Sequence, residues 1–289
     1  RLGNLDAADP LLTRIEVRPL SADESGLDWR TRMEYSTDGR GRIGLKAHGS
    51  HDVVTIDACV VAAHEIGSDG LTNMPWAPTS EVRAVVTSTG ERQILPGTSS
   101  DNPLLRERVG ENTFAVYTRG FWQAHRRAPE VFTEAVVRLA DVRAGDHVID
   151  LYAGAGLFSV PLIQEVGAGG RVDAVEGDQG ACKNLRANIR GFSNAAAHAS
   201  AVETWLTRSG ISRCDVVILD PPRVGAGKNV VNGVARLLPR TVVYLACDPA
   251  ALARDVAYFR DVDYALKHIE AFDAFPMSHH FETIAIFSR

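Results

Sequence analysis

Two hydrophobic periods divide the chain. In the first hundred or so residues apolar and polar positions alternate over short runs. Arg32-Met33-Glu34-Tyr35-Ser36-Thr37 and Arg42-Ile43-Gly44-Leu45-Lys46-Ala47 change character almost residue by residue, the period of a half-buried strand. Asp38-Gly39 stands between them and predicts a hairpin whose turn needs a positive φ. Val53–Ile56 and Val82–Thr87 predict further strands, so residues 1–113 read as a small β-rich domain. From about Phe114 the pattern changes. Pro129–Ala140 places Val131, Phe132, Ala135, Val136 and Leu139 on one helical face. Short apolar strands are predicted at His147–Tyr152, Arg171–Val175, Asp215–Leu219, Val242–Ala246 and Phe281–Phe287, with helices near Gly180–Arg190 and Ala250–Phe259. Strands separated by helices imply an α/β domain over residues 114–289, with a mostly parallel, doubly wound sheet. Ligands of such sheets bind at the carboxyl ends of the strands, where strand order reverses.

Composition narrows this picture. The 289 residues are 45% hydrophobic and 23% charged, the balance of a soluble globular protein. No apolar run is long enough to span a bilayer and no signal peptide opens the chain, so a cytoplasmic monomer without membrane contact is expected. The first residue is Arg1 rather than Met, as in a truncated or trimmed chain. Cys59, Cys182, Cys214 and Cys247 are scattered without C-x-x-C spacing, which argues against a disulfide framework or a structural zinc. The net charge of −5 speaks against nucleic-acid binding by the surface as a whole, leaving a local basic patch as the route to RNA. Arg30, Arg32, Arg40, Arg42 and Lys46 offer one on the hairpin. The interspersed Asp28, Glu34 and Asp38 equally suit a solvated strand face.

The candidate chemistry sits at strand tips. Asp150-Leu151-Tyr152-Ala153-Gly154-Ala155-Gly156-Leu157-Phe158 runs from a buried strand through glycines into a helix, a turn where backbone approaches a ligand closely. Ser159 stands where the dinucleotide fingerprint needs its third glycine, which lowers the case for NAD. Glu176 ends the next strand, where a carboxylate can accept from a ribose diol; the alternative is a surface acid. S-adenosylmethionine (SAM) fits this pair better than a dinucleotide, because no pyrophosphate cradle is needed. The fourth strand breaks at Asp220-Pro221-Pro222-Arg223, a rigid floor for a planar base beside the cofactor. Arg223 occupies the place that an aromatic takes in enzymes methylating exocyclic amines, which points to different chemistry. Cys247 ends the fifth strand and precedes a helix opened by Pro249, so the helix dipole favours its thiolate. The other three cysteines read as packing residues. His279 and His280 are adjacent and lack a third ligand, and His64-Glu65 lacks the second histidine of H-E-x-x-H, so no metal is assigned. Glu282 opens a closing apolar strand, as a buried acid or as an exposed strand carboxylate.

Together, Gly120-Phe121-Trp122-Gln123, the glycine loop, Asp220-Pro221-Pro222-Arg223, Cys247-Asp248-Pro249 through Ala253-Arg254-Asp255, and Phe275-Pro276 to Glu282 resemble the RNA 5-methyluridine (uracil-C5) methyltransferase family of tRNA and ribosomal RNA enzymes. The motifs cover residues 117 to 289 in family order. The resemblance is looser over Arg30 to Cys59, where it points to the family's β-rich middle domain. It implies a class I SAM-methyltransferase fold (a Rossmann-like doubly wound sheet) with a smaller N-terminal β-rich, RNA-contacting domain. It further implies SAM as cofactor, an RNA substrate, Cys247 as nucleophile and Glu282 as general base. Gln123, Tyr152, Gly154, Glu176 and Asp220 would contact SAM. By the same resemblance, the family's N-terminal RNA-binding barrel and the iron–sulfur cysteines of many members are missing from this chain. Two positions depart from the family: Ala246 stands for Ser or Asn, and Asp248 for Asn. A carboxylate beside Cys247 is expected to raise its pKa against the helix dipole. The alternatives are a SAM-fold RNA-binding module without C5 activity, or a methyltransferase for another nucleobase position. Cytosine-C5 RNA enzymes place cysteines at two strand tips, whereas here Asp220 occupies the second.

Overall fold

The alternating N-terminal segments form an antiparallel sheet, and the later segments a second, mostly parallel one. The computed structural model describes residues 10–13, 15–20, 25–67 and 70–289; Arg1 lies outside them. Two compact units divide the chain, one of residues 23–128 and one of residues 1–22 with 129–289. The short helix α1 (Pro10–Thr13) and strand β1 (Val17–Pro19) belong to the second unit.

The 23–128 unit contains β2 (Arg32–Thr37), β3 (Ile43–Lys46), β4 (Val53–Thr55), the short helix α2 (His64–Gly67), β5 (Glu81–Val86) and β6 (Arg92–Pro96). Its five strands pair in the order β4-β3-β2-β5-β6. Met33, Tyr35, Ile43, Ile66, Leu71, Val82 and Ala84 fill one core, as side chains two apart on a strand share a face. The turn differs from expectation. The positive φ falls on Gly41, at 75°, where a Cβ would stand 2.3 Å from the Trp76 carbonyl oxygen. The Asp38 carboxylate organises that turn, accepting from the backbone N–H of Arg40 at 2.8 Å and of Arg42 at 2.9 Å. The hairpin's cations are largely matched with acids: Arg42 to Asp38, Lys46 to Glu81, and Arg32 to the buried Glu107.

A hairpin not expected from the sequence, β7 (Leu104–Val109) with β8 (Asn112–Tyr117), also belongs to this unit. The ring of Phe114 packs at 5.3 Å on Trp122, and Trp29 stacks at 5.5 Å on His125. These contacts carry the chain past residue 113, so the units divide at 128/129 rather than at 113/114.

In the second unit α3 (Ala128–Ala140) leads into β9 (His147–Leu151), α4 (Ser159–Val166), β10 (Arg171–Glu176), α5 (Gln179–Ile189), β11 (Ala195–Ala199) and α6 (Val202–Arg208). Then follow β12 (Val216–Leu219), α7 (Gly227–Arg236), β13 (Thr241–Ala246), α8 (Pro249–Arg260), β14 (Ala265–Asp273) and β15 (Glu282–Ser288). The sheet order is β1-β14-β15-β13-β12-β9-β10-β11, with β15 antiparallel to both neighbours. Ile149, Leu151, Val175, Val217, Leu219 and Tyr244 point to one face and pack with Val230, Val234, Leu252 and Phe259 of α7 and α8. Asp150 points the other way and meets Ser159, the first residue of α4. Strands buried on both faces read as continuous apolar runs, which is why they stood out in the sequence. β11 and β14 did not: one is an alanine-rich edge, and the other mixes Lys267, His268 and Glu270 into its apolar positions. No helix among the described residues is long and apolar enough to cross a membrane.

Candidate active site

Strand order reverses between β9 and β12, and the predicted residues of this unit gather at the carboxyl edge beside that point. Glu176 ends β10, and its carboxylate accepts from the backbone N–H of Gly154 at 2.8 Å and of Asp178 at 2.6 Å. The glycine loop and the second strand tip are thereby one structure. Gly154 has a φ of 56° and nothing within 4 Å of a built Cβ, so that side of the loop is open. Tyr152, between strand and loop, holds a φ of 64°. That conformation costs a non-glycine residue about 1–2 kcal/mol and occurs where surrounding structure fixes a functional turn.

Two acids stand with Glu176. Asp150 is fully buried; Ser159 Oγ donates to its Oδ2, and Oδ1 has no hydrogen-bond partner. Burial, against the Ser159 hydrogen bond and with added repulsion from Asp220 and Glu176, pushes its carboxyl up to about 7. Asp220, half-buried by surface area, has its carboxyl enclosed by protein; this enclosure and then Glu176 push it up to about 7 as well. Three neighbouring carboxyl groups with an orphaned oxygen form a site short of positive charge, and a sulfonium or ammonium ligand would supply it. In the sequence Asp150 reads as one more strand residue. Its signal was a lone acid in an apolar run, opposite Ser159 on the following helix.

Cys247 is half-buried at the tip of β13, and α8 begins two residues later. β15 lies antiparallel beside it: Ala246 pairs with Thr283, whose Oγ1 donates to the Ala246 carbonyl at 3.0 Å. Cys247 and Glu282 are the chain neighbours of that pair, and the Glu282 carboxylate acts electrostatically on the thiol. Glu282 is only 9% exposed. Burial first, then Asp220, push its carboxyl up to about 8, with Arg223 pulling the other way. The Cys247 thiol is raised above its ordinary value by burial and then by Glu282 and Asp220, again opposed by Arg223. Asp248 is not the cause expected from the sequence. Its carboxylate turns into α8 and caps the helix, accepting from Ala251 N–H at 2.7 Å.

Arg223 rides on a loop that is tied down from behind. Asp255, fully buried on α8, accepts from the N–H of Ala226 at 2.7 Å and of Gly227 at 3.2 Å, and from the Tyr244 hydroxyl at 2.6 Å. Arg254 donates to Asp255 and to the Val224 carbonyl at 2.7 Å. Gly225 passes so close that a Cβ would stand 2.6 Å from both side chains. Gln123 belongs to the 23–128 unit and is half-buried beside Trp122. Cys182 and Cys214 are buried, and burial pushes the Cys214 thiol up to about 12. Cys59 packs against the core of its own unit, residues 23–128. The rings of His279 and His280 lie 4.0 Å apart against each other. His64 gathers with Asp28 and Glu65, but the Arg126 guanidinium already serves both acids.

A family model described as tRNA (Uracil-5-)-methyltransferase matches residues 207–289, the stretch that holds Asp220, Cys247 and Glu282. An uncharacterized RNA methyltransferase of Bifidobacterium longum is 36% identical over 318 residues, covering 100% of this chain and 72% of that protein. The chain belongs to the uracil-5-type RNA methyltransferase family. A Streptomyces avermitilis member is 36% identical over 89% of this chain and a Streptomyces coelicolor member likewise, and the matches span only 66% and 63% of those relatives' own lengths. Among solved structures, the Pyrococcus abyssi tRNA (uracil-54, C5)-methyltransferase in complex with S-adenosyl-L-homocysteine superposes with a TM-score of 0.74 at 20% identity, over 94% of this chain and 78% of that one. That likeness establishes the fold: this family member has the class I methyltransferase architecture, an α/β doubly wound sheet.

Proposed function

We propose that this chain methylates carbon 5 of a uridine in RNA, using SAM and a covalent bond between Cys247 and carbon 6 of the base. The observation that carries the reading is the nearness of Cys247 and Glu282, which flank the Ala246–Thr283 pair of β13 and β15 and interact electrostatically, at the sheet edge that also holds the three-acid site.

The acids fit the cofactor. Glu176, fixed by Gly154 and Asp178, keeps lone pairs for a ribose diol. Asp150 offers its unpartnered oxygen, and Asp220 and Tyr152 close the same edge. SAM, when bound, supplies the methyl group as an electrophile that an activated carbon 5 can take. The protein's own groups perform the activation. The Cys247 thiolate adds to carbon 6, forming a C–S bond and sending the ring's electron pair toward carbon 5 and its neighbouring carbonyl oxygen. After methylation carbon 5 carries both a hydrogen and the new methyl. The Glu282 carboxylate removes that hydrogen as a proton; the C–H electrons restore the double bond, and the C–S electrons leave with Cys247 as thiolate. Arg223 favours the ionised form of both groups. A base must leave its stack to reach them, so a flipped or loop uridine is expected.

The 23–128 unit is proposed to contact the RNA. A recess there of about 360 Å³ carries Arg30, Arg83 and Arg119 beside Phe121, whose ring is 69% exposed. RNA containing 5-fluorouridine lacks the removable hydrogen, so in the presence of SAM it should trap the protein covalently. An adduct in the wild-type chain, lost in Cys247→Ala, supports the reading. No adduct, or one that survives the substitution, refutes it; SAM binding without transfer would favour a silent RNA-binding module.

A further inference from the structure

The second unit has another recess that shares no residue with the Cys247 site. Helix α6, only seven residues long, crosses the β10–β11 end of the sheet and leaves about 550 Å³ open beside the edge strand. The floor is Asp173, fully buried. Its Oδ2 pairs with Nε2 of His147 at 2.8 Å and accepts from Nε of Arg171 at 2.7 Å. Its Oδ1 pairs with Nε2 of His198 and accepts from Nη2 of Arg171, each at 2.7 Å. Both oxygens are saturated, so this acid has little left to offer a ligand and does not make the recess a cation site.

The rim has the opposite character. Arg208, exposed on the last turn of α6, makes no ion pair among the described residues. Arg171 remains 57% exposed while bound to Asp173, with Nη1 uncommitted. Thr204 adds a hydroxyl group, that of Ser200 already donates to the Ala201 carbonyl at 3.1 Å, and Trp205, packed 5.3 Å from His198, closes the back wall. The acid of α6, Glu203, is not among the residues that line the recess. In a chain of net charge −5, two arginines facing one spent carboxylate make a local excess of positive charge. Phosphate contacts of this kind supply position and affinity without reading sequence.

We infer that this recess binds a backbone phosphate of the RNA, held by Arg208 and Arg171 with the Thr204 hydroxyl. The inference rests on RNA being the substrate and adds a second footprint, away from the target base. A free nucleotide would present the same phosphate chemistry, and the experiment separates the two sources. Binding of a uridine-containing hairpin RNA is measured against salt concentration for the wild-type chain, Arg208→Ala and Arg208→Glu, with thermal midpoints as the control for folding. Losing one phosphate contact should lower the slope of log affinity on log salt by about 0.7–0.9. At low salt the affinity should weaken about three- to tenfold for Arg208→Ala, and further for Arg208→Glu. Methyl transfer at saturating RNA should persist. Unchanged affinity and slope in both variants overturn the inference while leaving the proposed reaction standing. Uridine monophosphate binding by equilibrium dialysis, lost in Arg208→Ala while RNA affinity holds, also overturns it and assigns the recess to a free nucleotide. Conversely, Arg208-dependent RNA binding by a chain that forms no 5-methyluridine sinks the reaction and keeps the recess.

Discussion

Replacing Glu282 by Gln should stabilise the fold while abolishing turnover, because the acid is held where its charge is costly. Its carboxyl is moved from an ordinary 4.5 to about 8 by burial and by Asp220. That difference makes the ionised form about 5 kcal/mol less favourable in the fold than in the unfolded chain. The sign follows from which state holds the proton. Below pH 4.5 both states are protonated and nothing is lost. As pH rises the unfolded chain ionises first, so stability declines until the folded carboxyl also ionises near pH 8. Gln keeps the shape and removes the titration. At pH 8 Glu282→Gln should therefore exceed the wild type by about 3–5 kcal/mol, or roughly 6–20 °C in thermal midpoint for a body of this size. At pH 4.5 the two should nearly coincide. Thermal unfolding of both proteins from pH 4.5 to 9, followed by circular dichroism, measures the difference directly. A gap that stays constant with pH would mean that Glu282 titrates normally and is not enclosed beside Asp220. Methyl transfer assayed in parallel should fall to background in the variant, the trade of stability for function expected at a strained site.

Other consequences concern the neighbouring groups. Affinity for SAM should rise about tenfold from pH 6 to pH 8 as Asp150 and Asp220 ionise near 7; titration calorimetry on wild type and Asp150→Asn should show the slope flattened in the variant. Arg223→Ala should move the pH midpoint for alkylation of Cys247 upward by up to about one unit, as read by peptide mass mapping after iodoacetamide, and an unmoved midpoint would remove Arg223 from the site's electrostatics. Asp255→Ala strips a buried acceptor from Ala226, Gly227, Tyr244 and Arg254. It should cost about 3–5 kcal/mol in urea unfolding and expose the 221–227 loop to protease. Asp248→Ala removes the α8 cap and should cost only about 1 kcal/mol, without lowering the thiol's midpoint as a direct charge effect would.

The local parts of this protein can be read from residue order alone. Strands β9, β10, β12 and β13 announce themselves as apolar runs because both faces of the sheet are covered, and their tips carry Tyr152, Glu176, Asp220 and Cys247 at the places that such sheets use. Backbone period and turn chemistry act over a few residues, so they survive without knowledge of the rest. What tertiary structure decided is the company each group keeps. Glu282 reaches Cys247 only because β15 inserts antiparallel between β13 and β14. Asp150 becomes an acid of the site only through Asp220 and Glu176 at neighbouring strand tips, and Asp248 turns from an expected opponent of the thiol into the cap of α8. Desolvation and Coulomb energy depend on distance in space. Among these acids, groups that act on one another lie up to 70 positions apart along the chain, from Asp150 to Asp220, so their influence on one another could not be assigned before the sheet was assembled.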